Sequence, residues 1–164
     1  MEMISEELVE ETWQEMGSLM PALARREMTK VSRSQPNLLA FLMEFTEELD
    51  QDAKELGVYM FYVLCRMFQK RAKKRIKRIS TKEVIDCYEK NLAFLENLEG
   101  AHERFFERIA ETQLSAQPHV MKYVVETLME APEEETDPIH LSDDDIGYLF
   151  LLLKTVIDLL DQKV

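Results

Sequence analysis

Glu99-Gly-Ala-His102 is a Glu-x-x-His pair, a spacing that sets a carboxylate and an imidazole one turn apart on one helix face. Carboxylate bundles that hold two iron ions draw such a pair from each of two helices, so the chemistry in view is metal coordination. Here the pair occurs once, because His119 follows Pro118 at a helix start and His140 lies just past Pro138 in a loop. On a helical wheel His102 falls near Leu98, Phe105 and Ile109, where a histidine serves as a hydrogen-bonded core residue. Asn91 shares that face three turns earlier. An unpartnered buried polar group costs about 1–3 kcal/mol, so Asn91 and His102 must find partners that fix register or line a small pocket. Glu99 and His102 are thus the metal candidates, and a small-ligand or metal site at Asn91, Glu99 and His102 is one alternative function.

Nothing else in the chain suggests catalysis. There is no Gly-rich phosphate loop, GxSxG elbow or HExxH, so no catalytic residue and no cofactor is expected. Cys65 and Cys87 lack CxxC spacing, and Cys65 lies in an apolar run, which points to reduced, buried thiols. Ten methionines suit an adaptable groove but more often fill a core.

The sharpest local feature is basic. Lys70, Arg71, Lys73, Lys74, Arg75, Lys77 and Arg78 gather seven of the chain's twenty bases within nine residues. With Phe68, Ala72, Ile76 and Ile79 along one side, the run could meet nucleic acid, an anionic membrane or an acidic protein, or simply be a solvated helix end. Its counterpart is the acidic stretch Glu133, Glu134, Glu135 and Asp137, continued by Asp143, Asp144 and Asp145. The two could pair within a chain or between two chains, each exposed pair contributing about 0–1 kcal/mol. Base-stacking aromatics are not interleaved with the bases, and the rest of the surface is acidic, so accessory nucleic-acid binding is the lesser alternative. The leading expectation is a non-catalytic helical protein that binds another protein or itself through these two segments.

The elements that must position these residues are helices. The 164 residues suit a single domain, and four glycines and five prolines amid abundant Leu, Glu, Met, Lys and Ala favour helix almost throughout. The first 79 residues carry thirteen bases and thirteen acids, whereas the remainder carries seven and nineteen, so the whole excess of −12 lies in the second half. The acidic start lacks the marks of a secretory signal, and the longest apolar runs fall short of a membrane span, so a soluble, cytoplasmic protein is expected.

Ser5 caps a first helix with Leu8, Val9, Trp13 and Met16 on one face, and Gly17, Ser18 and Pro21 break it near residues 17–20. A second segment runs to about Val31. A third starts at Pro36 and reaches Asp50, and a long fourth spans about Asp52 to Ile79. Ser80-Thr-Lys-Glu83 is a capping box for a helix that carries Val84, Cys87, Asn91 and Phe94 inward and could persist to Gln113. Pro118 opens another to Glu130, and Ser142 caps the last, Asp143 to about Gln162.

These elements repeat. Gln35-Pro36 aligns with Gln117-Pro118, Phe41 with Tyr123 and Glu44 with Glu126, and the Ile4-Ser5 helix start recurs as Ile79-Ser80. The expectation is an all-α compact bundle of six to seven helices, built from tandem three-helix units of about residues 1–79 and 80–164 around a pseudo-twofold. A short α-solenoid is the alternative architecture.

Overall fold

Three helices begin where the sequence sets a capping side chain. Ser5 Oγ accepts from Leu8 N at 3.1 Å, and Ser142 Oγ accepts from Asp145 N at 3.1 Å. At Ser80 the box is complete: its Oγ accepts from Glu83 N at 3.1 Å, and Glu83 Oε2 accepts from Ser80 N at 2.8 Å. The computed structural model describes residues 3–98, 116–130 and 141–164. Those residues form seven helices: α1 (Glu6–Ser18), α2 (Pro21–Ser34), α3 (Pro36–Phe45), α4 (Gln51–Arg71), α5 (Thr81–Leu98), α6 (Pro118–Glu130) and α7 (Asp143–Lys163).

The two most apolar helices meet at the centre. Phe61, Leu64 and Phe68 of α4 are wholly buried, as are Leu149, Phe150 and Leu153 of α7. Gly57 allows the close approach, since a Cβ there would lie 2.8 Å from Leu149 Cδ2. Around this pair, α1 packs on α4 and α6, while α5 packs on α7 and α3. Contacts therefore run between the two halves of the chain rather than only from each unit to the next. This is an all-α bundle, and the solenoid alternative does not describe it. No helix among the described residues is long and apolar enough to cross a membrane.

Several boundaries and faces differ from the sequence reading. The long fourth helix stops at Arg71, not Ile79, and residues 72–80 run outside any helix. Closely spaced like charges weaken a helix there, and side chains of the α3 start take up backbone groups that a helix would have bonded internally. The third helix ends at Phe45 instead of Asp50. The second reaches Ser34, three residues past Val31. Trp13 is 41% exposed because the inward stripe of α1 is Val9, Thr12 and Met16, with Thr12 Oγ1 donating to Leu8 O at 2.6 Å. Phe94 is likewise 36% exposed, and Leu95 takes the inward place on α5.

Candidate interaction surfaces

The basic run spans the end of α4 and the non-helical strap 72–80. Ile76 and Ile79 are buried and anchor the strap, whereas Lys73, Lys74, Arg75, Lys77 and Arg78 are exposed. Gln35 holds it from within: Nε2 donates to Lys77 O at 2.9 Å, and Oε1 accepts from Ile79 N at 3.1 Å. Asn37 Nδ2 adds a bond to Ile79 O at 2.8 Å. Gln35 and Asn37 flank Pro36, so the start of α3 satisfies backbone groups that would be costly to bury unmade. At the top of the run Lys70 pairs with Glu15 of α1, and its Nζ lies 3.9 Å from Glu11. That hydrogen bond from Lys70 is the main cause that draws the Glu15 carboxyl below its ordinary range. Arg71, the last residue of α4, also engages a neighbour.

Beside the strap lies a groove of about 420 Å³ between α2 and α4. Its cations are Lys30, Arg33, Arg66 and Arg75, opposed by the carboxylate of Glu27. Lys30 Nζ sits 3.3 Å from Glu27 Oε1. Val31, Cys65, Ile76 and Leu160 give the groove apolar lining. Arg66 reaches Glu15 through one guanidinium nitrogen at 3.6 Å, and its Nε is buried without a hydrogen-bond partner among the described residues. Burial pushes the Cys65 thiol far above its ordinary value, so it is an inert part of the lining.

A second groove, of about 530 Å³, has the opposite character. Glu44, Glu47, Glu48, Asp144 and Asp145 line it together with Phe45, Leu49 and Tyr148. Gln35 at the start of α3 lines the basic groove, and Phe45 at its end lines the acidic one. Helix α7 runs the other way, from Asp145 at the acidic groove to Leu160 at the basic groove, a helical span of roughly 22 Å. The bundle is electrically polar along these two helices.

Asn91 finds its partners across the α5–α7 seam. Lys154 Nζ donates to Asn91 Oδ1 at 2.9 Å and to Asp158 Oδ2 at 2.7 Å. Asn91 Nδ2 donates in turn to Thr155 Oγ1 at 3.2 Å and Asp158 Oδ2 at 3.1 Å. The Lys154 residue is 6% exposed, and its ammonium lies 6.0 Å from the centre of the Phe94 ring. Burial and the nearby Asp158 carboxylate raise the Cys87 thiol to about 11. Every polar group of Asn91 is engaged within the protein, which makes this a closed structural network. Among the described residues no group of three or more His, Cys, Asp or Glu side chains is placed to hold a metal ion.

Glu99, His102, Glu133, Glu134, Glu135 and Asp137 lie outside the described residues. Lys30, Arg33 and Arg66 were not singled out in the sequence, because they belong to two helices and meet only through the α2–α4 packing. Lys154 and Asp158 were visible as an i, i+4 pair interrupting an apolar helix, which is the signal that could have found the network. Comparison with protein-family models, curated proteins and solved structures finds no match for this chain.

Proposed function

We propose that this protein is a non-catalytic recognition module that binds an acidic protein surface through the basic groove and its strap. The observation that carries this reading is the groove itself, where four cations rim an apolar lining that includes Val31, Ile76 and Leu160. Such a surface suits a partner segment with carboxylates flanking an apolar side chain: the charges steer and orient, and the partly exposed Val31 gives the apolar side chain a contact. Among the described residues no aromatic ring lines the groove, which gives stacked bases no platform there.

The test is calorimetric titration of an acidic peptide with a central leucine into the whole protein and into the exposed-site variant Lys30→Glu/Arg33→Glu/Arg75→Glu. Binding to the native protein, weakened at least tenfold in the variant, supports the reading. Binding unchanged in the variant, or tighter binding to single-stranded oligonucleotide than to peptide, overturns it.

The same reading includes a tandem origin for the chain, in units of about residues 1–79 and 80–164. What supports it is a shared hydrogen-bond role. Gln35 Oε1 accepts from Ile79 N at 3.1 Å, and Gln117 Oε1 accepts from Ile4 N at 2.7 Å. Each glutamine precedes a helix-opening proline and holds the isoleucine before a capping serine that begins the other unit.

A further inference from the structure

The basic groove and the acidic groove are of similar size, opposite in charge, and at opposite ends of α3 and α7. We infer that the protein self-associates head to tail, the acidic groove of one copy meeting the basic groove of the next. The inference rests on the recognition reading above and names its partner as a second copy of this chain.

Charge complementarity carries it. Among the described residues, four cations with a single carboxylate line one groove, and five carboxylates with no cation line the other. Each also offers partly exposed apolar surface for the other to cover: Val31 on one side, Phe45, Leu49 and Tyr148 on the other. Because the patches differ, the contact is heterologous, and it propagates as an open chain unless the rotation between copies closes a ring. The net charge of −12 opposes any such association over long range. At physiological ionic strength the screening length is about 8 Å, so repulsion between whole molecules is damped while apposed grooves still attract. Association is therefore expected to be strongest at intermediate salt and weaker at both extremes.

The decisive experiment is sedimentation velocity over a wide concentration range on three forms of the full chain. These are the native protein, Lys30→Gln/Arg33→Gln, and Glu47→Gln/Glu48→Gln, all four altered side chains being on exposed residues. The native protein should form dimers and larger species as concentration rises, and each variant alone should associate at least about tenfold more weakly. An equimolar mixture of the two variants should recover a one-to-one dimer that grows no further, because each brings one intact groove. A native protein that stays monomeric throughout overturns the inference, as does association indifferent to both variants or a mixture that fails to recover the dimer. Peptide binding measured at dilution separates the two claims: if the peptide binds and self-association is absent, recognition stands and the second copy is not its partner.

Discussion

The seam between α1 and α4 and the seam between α5 and α7 bring together corresponding helices of the two proposed units, yet they handle charge in opposite ways. At the first, Lys70 and Arg66 meet Glu15 at a partly exposed rim, over the buried apolar residues Val9 and Met16. At the second, an ammonium is drawn inside and satisfied by Asn91 and Asp158. The contrast separates two uses of a cation in one fold. A rim pair contributes little energy and leaves its neighbours free to meet a partner. A buried network tolerates few register shifts, since any displacement leaves a charge or amide without a bond.

The largest effect should come from breaking the inner network. Among the described residues Asp158→Ala leaves the buried Lys154 ammonium only Asn91 and the Phe94 ring, and it should destabilise the protein by about 3 kcal/mol in urea denaturation. Replacing the set together, as Asn91→Leu/Lys154→Met/Asp158→Leu, should restore most of that loss, because apolar residues of similar volume can replace a buried ion pair. A triple variant as unstable as the single one would show that packing, not the uncompensated charge, governs the seam.

Next in size are the two glutamines. Gln35→Leu strands Ile79 N and Lys77 O, while Gln117→Leu strands Ile4 N and leaves Asp161 without that amide donor. Each should cost about 1–3 kcal/mol by the same denaturation assay, and similar values would sharpen the correspondence between the halves. A negligible cost at either position would break it. Smaller still is Lys70→Ala at the rim, expected to cost about 1 kcal/mol because its partner Glu15 is partly exposed and keeps contact with water.

One acid response should come from Glu83, at the start of α5. The hydrogen bond from Lys163, whose Nζ lies 2.6 Å from Glu83 Oε1, and then those from Ser80 hold the Glu83 carboxyl down at about 2. A folded value below the unfolded one, near 4.3, means that this contribution is complete above that pH. It is lost as pH falls toward 2. Glu83→Gln should flatten the fall of the denaturation midpoint over that acid window and leave the neutral range almost level in pH dependence.

Much of the fold was legible because local signals were strong. Ser5, Ser80 and Ser142 cap helices by contacts three residues away, and Pro36 and Pro118 open helices by their own fixed geometry. The end of α4 was not legible, since it depends on Gln35 and Asn37, some forty residues upstream, bonding to the strap. Asn91 could be identified as a buried polar residue from its face, but its partners could not, because Lys154 and Asp158 reach it only through the α5–α7 packing. The basic groove escaped notice for the same reason: the run from Lys70 was conspicuous, whereas Lys30, Arg33 and Arg66 join it only in three dimensions.

The central claim is that recognition belongs to the basic groove while the inner network remains structural. Amide chemical-shift mapping during titration with the acidic peptide tests both parts at once, using protein dilute enough to be monomeric. Shifts should cluster at residues 30–35, 65–69 and 75–77 and leave Asn91 and Lys154 unmoved. Shifts centred on Asn91, Lys154 and the end of α5, or none at the groove, would contradict the account.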